Sequence, residues 1–258
     1  MPSALLLRQS RKNMDSDPYH QLFVQHGISA SSIPVLQFDF VNVQQLAQLL
    51  ETPGNWTGLV LTSQHSVEAL AMAVEKCSDC NVIAHWKGKH VFVVGEATKK
   101  IAESRLGLAC QGESCGNAKS LARFIINEME ELPATDEAKP LLFPCSSSRQ
   151  ESLPTMLTNA GVGLECIAAY ETRQHVEVTS SLHTFHENHG VPDYIVFFSP
   201  SGVSYTLETL KRLNFIPYTK CVAIGASTAE ALQSEGVVCS TAQSPTPEGA
   251  LQACLQMT

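Results

Sequence analysis

Gly58-Leu-Val-Leu-Thr-Ser-Gln-His-Ser-Val-Glu-Ala-Leu70 is an apolar run that ends in hydroxyl side chains and continues as a helical pattern. The same pattern returns in Tyr194-Ile-Val-Phe-Phe-Ser-Pro-Ser-Gly-Val-Ser-Tyr-Thr-Leu207. Ser63 and Ser199 therefore lie 136 positions apart (199 − 63). An apolar strand that leads directly into a helix is typical of α/β proteins.

Two further pairs of segments repeat in the same order along the chain. They are Leu5-Leu-Leu-Arg8 with Leu141-Leu-Phe-Pro144, and Val91-Phe-Val-Val-Gly-Glu-Ala-Thr98 with Cys221-Val-Ala-Ile-Gly-Ala-Ser-Thr228. Three matches in one order predict a duplicated fold. We expect two similar α/β domains, with parallel sheets covered by helices on both faces and with the function between them.

Composition narrows the class of protein. The chain has 258 residues, of which 44% are hydrophobic, which suits two domains of about 100–150 residues, each with its own core. No apolar run approaches the roughly 18–20 residues of a membrane span, so we expect a soluble protein of the cytoplasm. The net charge of −8 and the lack of dense Lys/Arg runs argue against nucleic acid as a partner.

Two long extended segments leave the domain boundaries open. Ile33–Phe40 and Ile167–Thr172 each follow the first strand–helix unit of a repeat. If both segments cross between domains, the N-terminal unit completes the C-terminal domain. If they do not, each repeat folds by itself, and the residues alone favour neither arrangement.

Candidate binding residues cluster where predicted strands end and helices begin. Parallel α/β sheets bind ligands beyond the carboxyl ends of their strands, where helix N-termini present free N–H groups. The predicted substrate-binding residues are Thr62, Ser63, Thr98, Arg149, Ser199, Ser201, Gly202, Lys220, Ser227 and Thr228. Each hydroxyl by itself is more simply an N-cap, but the matched junctions of the two repeats favour anion binding. Gly95, Gly202 and Gly225 would let the backbone approach a ligand closely.

Other kinds of site lack their sequence signatures. No GxGxxG, GxxxxGK[ST] or GxSxG motif is present, which argues against dinucleotide, P-loop and serine-hydrolase chemistry. Cys77-Ser-Asp-Cys80 lies late in a predicted helix with no second cysteine pair, so the nine cysteines are expected to be ordinary reduced thiols. His183, His186 and His189 are expected on a solvated helix face. We expect neither a metal nor an organic cofactor.

Several stretches resemble the uroporphyrinogen-III synthases, the cyclising enzymes of tetrapyrrole biosynthesis. They include Asp17-Pro-Tyr19, Cys115-Gly-Asn-Ala118, Phe197-Phe-Ser-Pro-Ser-Gly202 and Ser244-Pro-Thr-Pro247, and the resemblance runs almost end to end. It implies two flavodoxin-like domains joined by a two-stranded linker. The first domain would be residues 1–37 plus 174–258, the second residues 38–173, and the active site would lie in the cleft between them.

The resemblance also implies a substrate and a catalytic residue. The substrate would be hydroxymethylbilane, a linear tetrapyrrole with eight carboxylates, which a monomeric enzyme closes with loss of water and inversion of the last pyrrole, without a cofactor. Tyr170 matches the tyrosine at the end of the family's second linker strand and would donate a proton to the leaving hydroxyl. A tyrosine packed at a hinge is the alternative. His65 departs from the pattern, because some members have arginine there.

A function from another class is also compatible with the patterns. A non-catalytic, two-lobed binding protein for a polycarboxylate ligand would show the same periodicity and the same hydroxyl-rich junctions. Only a measurement of turnover separates this alternative from the enzyme.

Overall fold

The computed structural model describes residues 1–9, 16–130, 139–149 and 151–256. The acidic composition of the stretch from Glu130 to Lys139 predicts a solvated loop, and this stretch falls largely on residues 131–138, which lie outside the described range. The chain divides into two compact units, one made of Met1–Gln37 with Arg173–Thr258 and the other of Phe38–Thr172.

Ten strands and ten α-helices occur in the described residues. The strands are β1 (Ser3–Leu7), β2 (Ser29–Ser32), β3 (Leu36–Phe40), β4 (Gly58–Leu61), β5 (His90–Val93), β6 (Leu141–Ser146), β7 (Leu164–Gln174), β8 (Tyr194–Phe197), β9 (Lys220–Ala223) and β10 (Cys239–Thr241). The helices are α1 (Pro18–Gln25), α2 (Val43–Leu50), α3 (Gln64–Val74), α4 (Glu96–Leu106), α5 (Ala118–Glu130), α6 (Ser152–Asn159), α7 (Val178–His189), α8 (Pro200–Arg212), α9 (Ala226–Ser234) and α10 (Pro247–Leu255).

The first unit has a five-stranded sheet in the order β10-β9-β8-β1-β2, and all of its pairs are parallel. The N-terminal strand β1 therefore pairs with β8 near the end of the chain. Taken in chain order within this unit, the strands follow the flavodoxin-like order 2-1-3-4-5. The predicted α/β fold class is confirmed.

The central strand β1 is apolar throughout because both of its faces are buried. Leu5 and Leu7 lie in one buried cluster, which includes Phe197 and residues of α7, α8 and α9. Ala4 and Leu6 lie in another cluster, which includes Phe23 and residues of α10. A strand covered by helices on both faces reads as a continuous apolar run instead of an alternating one.

The second unit has a sheet in the order β3-β7-β6-β4-β5, in which the pairs β4–β5, β4–β6 and β6–β7 are parallel. The two extended segments noted in the sequence become the neighbouring strands β3 and β7. Gly58 begins β4, and a side chain at this position would collide with the backbone carbonyl of His90 on β5. The tight approach of β4 and β5 thus requires glycine there.

Local sequence signals set many of the element boundaries. Asp17-Pro18 predicts the start of a helix with proline at its first position. In the structure Asp17 accepts hydrogen bonds from the backbone N–H groups of Tyr19 and His20 and so caps α1. A glycine after an apolar helical pattern predicts a helix end, and Gly107, in the left-handed region at φ 64°, does end α4.

The cysteines and histidines singled out in the sequence are placed as follows. Helix α3 ends at Val74, so Cys77 and Cys80 lie after the helix and not within it. All nine cysteines of the chain are in the described part, and all nine are free thiols. His183 and His189 are exposed on α7, whereas the ring of His186 lies 5.4 Å from that of Phe215.

Two kinds of feature are absent from the described residues. No helix among them is long and apolar enough to cross a membrane. No group of three or more His, Cys, Asp or Glu side chains among them is placed to hold a metal ion.

Candidate functional site

The carboxyl end of β4 meets strand β7 at a hydrogen bond between two hydroxyls. The Tyr170 hydroxyl lies 2.8 Å from Ser63 Oγ, and either group could be the donor. Ser63 is also the N-cap of α3, because its Oγ accepts from the Ser66 backbone N–H at 3.1 Å. The tyrosine hydroxyl is therefore fixed at a helix N-terminus, although it lies 107 residues from Ser63 along the chain.

An irregularity in strand pairing determines where Tyr170 lies. The register between β6 and β7 shifts between Cys145 and Ser146, so that Ser146 is opposite Tyr170. Such bulges redirect side chains, and they are common beside active sites. The side chain of Tyr170 is 7% exposed, so the hydroxyl sits at the border of the buried core of the second unit.

Burial also affects the acidity of Tyr170. Desolvation raises the pKa of the Tyr170 hydroxyl above its ordinary value of 10, and the hydrogen bond from Ser63 partly opposes this rise. The group is thus neutral at physiological pH and able to donate a proton. If Ser63 donates to the tyrosine oxygen, the tyrosine proton is left free for a ligand, and the phenolate that forms on donation is stabilised.

An aromatic pair lies beside Tyr170. The imidazole of His65 stacks on Phe38 with ring centroids 3.6 Å apart, and its centroid is 5.5 Å from that of Tyr170. His65 Nδ1 is 3.3 Å from Glu68 Oε2, one turn along α3. Sequence reasoning noted His65 only as a departure from the family pattern and missed Phe38 and Glu68. The i,i+3 spacing of His65 and Glu68 is the signal that could have identified this pair.

The four predicted strand–helix junctions are of two kinds. Ser63 caps α3, and Ser199 caps α8 by accepting from the Gly202 N–H at 3.0 Å. The other two helices, α4 and α9, have Gly95 and Gly225 at the N-cap, and no described side chain caps either one. Their first-turn N–H groups are thus left without the side-chain acceptor that serine supplies at the other two junctions.

Gly225 is not required by the local backbone. Its φ of −173° and ψ of 174° resemble those of the serine N-caps, −151° and 160° at Ser63 and −161° and 156° at Ser199. A Cβ atom added at Gly225 would meet nothing within 4 Å. Gly95 differs, because its φ of 79° lies in the region that favours glycine. Neither strain nor packing therefore explains the glycine at position 225.

Predicted hydroxyl residues differ in their access to solvent. Thr98 and Thr228 lie in the first turns of α4 and α9, but their side chains are only 4% and 2% exposed. Their hydroxyls therefore face the protein interior, and only their backbone N–H groups belong to the junctions. Residues of partial or full exposure at the junctions are Thr62, Ser63, Ser199, Ser201 and Ser227.

The structure places two predicted residues differently from the expectation. Lys220 begins β9 and pairs with Tyr194, the first residue of β8, so it lies at the amino edge of the sheet and not beside a strand–helix junction. Its Nζ is 5.8 Å from the Tyr194 ring centroid. Gly202 is buried, and a Cβ there would approach Ser199 Oγ at 3.2 Å and Val35 Cγ2 at 3.4 Å. Close packing inside the first unit is sufficient to explain this glycine, and a contact of Gly202 with a ligand stays a prediction.

Arg149 lies at the carboxyl end of β6, as expected. Its backbone N–H donates to the Ser146 carbonyl at 3.2 Å, and its Nη2 is 3.3 Å from Glu151 Oε1. The side chain is 30% exposed. A contact between this guanidinium and a carboxylate ligand remains a prediction.

A second arginine at a strand end was missed in the sequence. Arg8 directly follows β1, and its Nη1 donates to both carboxylate oxygens of Asp17 at 2.9 and 2.7 Å. Its Cζ lies 4.6 Å from the Tyr19 ring centroid, and Phe198 packs edge-on against Tyr19. The Asp17-Pro-Tyr19 segment therefore holds Arg8 as well as starting α1.

Comparison with known proteins identifies the relatives of this chain. A family model described as "Uroporphyrinogen-III synthase HemD" matches residues 17–252. The uroporphyrinogen-III synthase of Schizosaccharomyces pombe is 28% identical over 238 residues, which cover 92% of this chain and 89% of that protein. The Saccharomyces cerevisiae enzyme of the same name is 26% identical over 227 residues, covering 84% of this chain and 82% of the yeast protein.

Solved structures show the same fold. The uroporphyrinogen-III synthetase of Helicobacter pylori superimposes with a TM-score of 0.67 at 17% identity, over 100% of both chains. A mutant uroporphyrinogen III synthase from Thermus thermophilus superimposes with a TM-score of 0.56 at 18% identity, again over 100% of both chains.

Proposed function

Because the chain belongs to the uroporphyrinogen-III synthase family, we propose how its residues carry out the reaction of that family. The enzyme closes hydroxymethylbilane to uroporphyrinogen III, with loss of water and inversion of the last pyrrole ring, as a step of tetrapyrrole and haem biosynthesis. The observation that carries this function is the family match over residues 17–252, almost the whole chain.

The main requirement of the reaction is the correct positioning of the last pyrrole ring. The lone pair of the pyrrole nitrogen expels the hydroxyl of the bilane and leaves an electrophilic azafulvene. Free bilane then closes spontaneously to isomer I, so the protein must hold the last ring so that its substituted carbon attacks. Holding reacting groups in a near-attack geometry is a large source of rate enhancement.

Tyr170 is our proposed proton donor to the leaving hydroxyl. Its hydroxyl is neutral because burial raises its pKa, and it is fixed by the 2.8 Å hydrogen bond to Ser63. Ser63 can donate to the tyrosine oxygen while the tyrosine donates to the substrate. A positioned donor that is fully protonated at the working pH meets the requirements of a general acid.

Helix N-termini are our proposed sites for the substrate carboxylates. A chain with a net charge of −8 can attract carboxylates locally, because first-turn N–H groups carry partial positive charge. Each unit offers one glycine N-cap, Gly95 on α4 in the second unit and Gly225 on α9 in the first. Thr62, Ser201, Ser227 and Arg149 would add side-chain contacts at these edges.

A single experiment tests the function against the binding-protein alternative, which the family match does not favour. Purified protein is incubated with freshly prepared hydroxymethylbilane, and the products are oxidised and separated as isomers I and III. We expect isomer III to predominate. Isomer I alone, at the spontaneous rate, would show that the protein binds a polycarboxylate without turning it over.

Dialysis against a chelator should leave the activity unchanged. The proposed chemistry uses a neutral tyrosine, backbone N–H groups and the reactivity of the pyrrole itself, and none of these needs a metal. The measurement is the rate of isomer III formation before and after EDTA dialysis. Loss of the activity, with recovery when a divalent metal is added back, would contradict this mechanism.

The two serine caps should contribute mainly to stability. Ser63→Ala and Ser199→Ala each remove an N-cap hydrogen bond, so we expect each to lower the free energy of unfolding by about 1 kcal/mol. Activity should fall only a few-fold, and more for Ser63→Ala, because Ser63 also holds Tyr170. Urea unfolding and initial rates measure both effects. A well-folded serine variant without turnover would instead identify that serine as a side-chain catalyst.

The setting in which the enzyme works is also part of the proposal. We propose a monomer that acts in the cytoplasm on a small-molecule substrate, without nucleic acid or membrane as a partner. The net charge of −8 supports the absence of a nucleic-acid partner, since phosphate binding relies on clustered Lys and Arg. Sedimentation equilibrium at working concentrations tests the monomer, and a dimer mass would contradict it.

A further inference from the structure

We propose that Cys166 is an oxidant-reactive thiol, activated by Cys145 and Arg149, and that it is the site at which hydroperoxides modify this protein. The three residues lie together at the carboxyl end of β6 and on β7. The cyclisation proposed above uses neither cysteine, and the reactivity of Cys166 does not depend on the proposed function.

Strand pairing brings the two cysteines to the same face of the sheet. Cys145 on β6 is opposite Ala168 on β7, and Cys166 precedes Ala168 by two residues. Side chains two residues apart on a strand share a face, and diagonal neighbours of this kind are within reach of each other. The Cys145 thiol lies 3.5 Å from the Ile167 carbonyl oxygen, and when Cys166 ionises the Cys145 proton turns to the Cys166 sulfur.

Arg149 adds a positive charge to this thiol pair. Its Nε is buried and has no hydrogen-bond partner among the described residues. A buried charged donor without an acceptor is costly. A thiolate at Cys166 would supply a negative charge beside this guanidinium, whereas a neutral thiol is only a weak acceptor.

The environment favours ionisation of Cys166 over that of Cys145. The hydrogen bond from Cys145 lowers the pKa of Cys166, burial opposes this shift, and the charge of Arg149 adds to it. The pKa of Cys145 is raised, first by its hydrogen bond to Cys166 and then by burial. Cys145 is 1% exposed, while Cys166 is only half-buried, so the thiolate forms on the sulfur that keeps more contact with water.

The reaction with a hydroperoxide is a two-electron oxidation of the Cys166 sulfur. The thiolate attacks the terminal peroxide oxygen, so that an S–O bond forms and the O–O bond breaks. The departing alkoxide or hydroxide takes a proton from solvent to give an alcohol or water. Cys166 is left as a sulfenic acid, and loss of the sulfenic acid proton to solvent gives a sulfenate whose negative charge Arg149 can hydrogen-bond.

The test compares cysteines within one intact protein. Full-length protein is alkylated with iodoacetamide between pH 5.5 and 9.5, and the rate at each cysteine is measured by mass spectrometry of its peptides. We expect Cys166 to reach its half-maximal rate at a lower pH than the exposed Cys80 does. Treatment with hydrogen peroxide and a sulfenic-acid trap should label the Cys166 peptide first.

Variants test the source of the activation. Arg149→Gln should move the pH midpoint of Cys166 upward by about one unit, whereas Arg149→Lys, which keeps the charge, should move it less. Arg105→Gln removes an exposed arginine from the same unit and should leave the midpoint unchanged. Circular dichroism checks that each variant is folded. A wild-type midpoint for Cys166 at or above that of Cys80, or peroxide labelling of Cys80 ahead of Cys166, would overturn the proposal without reference to any variant.

Discussion

Tyr170→Phe should slow the formation of uroporphyrinogen III by about 10- to 100-fold, at or below the lower end of the contribution of a positioned general acid. The ring and its packing are kept, so the fold should persist, and only the hydroxyl bonded to Ser63 is lost. Since the spontaneous closure competes, a slower enzyme also raises the share of isomer I. The measurements are the initial rate, the isomer ratio and the melting temperature.

Two companion variants separate catalysis from packing. Tyr170→Ala removes a ring that is 7% exposed, and we expect it to lose about 3–5 kcal/mol of stability in addition to activity. Tyr194→Phe is the matched control, because this tyrosine is also largely buried and its pKa is also raised by burial. It should leave the isomer ratio unchanged. Normal turnover of Tyr170→Phe would mean that Tyr170 is a packing residue and that positioning alone drives the reaction.

The acidity of Tyr170 predicts how activity changes with pH. A proton donor is active below its pKa and loses activity as the pH rises through it. Because burial raises the pKa of Tyr170 above 10, the donor should remain protonated at neutral and mildly alkaline pH. The residual activity of Tyr170→Phe should lack the high-pH decline that this ionisation causes in the wild type.

Gly225→Val should lower kcat/KM by about 100-fold, the order of loss that follows when substrate is displaced by roughly 1 Å. A Cβ at this position meets no protein atom within 4 Å, so the added side chain would occupy the space that we assign to a substrate carboxylate. Loss of the glycine N-cap should cost about 1 kcal/mol of stability at most. Initial rates over a range of substrate concentrations, with urea unfolding, measure both effects.

Gly225→Ser provides a sharper version of the same test. The backbone at position 225 is extended, like that of Ser63 and Ser199, so a serine there can cap α9. Stability should be unchanged or rise by a few tenths of a kcal/mol. Activity should fall by roughly 10-fold, because the new cap competes with the ligand for the first-turn N–H groups.

Gly54→Val is the control for both variants. Gly54 lies in the turn Pro53–Asn55, where a Cβ also meets nothing within 4 Å. This substitution should change neither turnover nor stability by a measurable amount. Full activity of Gly225→Val and Gly225→Ser would show that the backbone at α9 does not bind the substrate.

Local patterns in the sequence were sufficient for most strands of both sheets, but not for the short β2 (Ser29–Ser32) and β10 (Cys239–Thr241), which lack an apolar run. A strand such as Leu141–Phe143 can be recognised from a few neighbouring residues because it depends on an apolar run. The cap at Asp17 can be recognised in the same way because it depends on the hydrogen bonds of a single helix end. The repeat of the strand–helix pattern at Ser63 and Ser199 also sufficed for the fold class. The Tyr170 candidate came from the resemblance of its segment to the family and from no local pattern.

Tertiary structure decided how the candidate side chains are used. Thr98 and Thr228 have the residue type of a binding site but turn into the cores of their units, and Lys220 lies at the amino edge of its sheet. The exposure of a helical side chain depends on which face of its helix packs against the sheet. This packing involves neighbours that are distant in the chain. The edge on which Lys220 lies could have been deduced, since the predicted strand begins directly after it.

The sequence by itself thus determined two repeated α/β units, their strand–helix junctions and the absence of nucleotide-binding motifs. Only the tertiary structure brought Ser63 to Tyr170, distinguished the serine caps from the glycine cap at Gly225, and placed Cys145 on the same sheet face as Cys166. The physical reason is the range of the forces involved. Helix caps and strand patterns arise from residues a few positions apart, whereas hydrogen bonds and charges across a sheet depend on register, which the packing of the whole unit fixes.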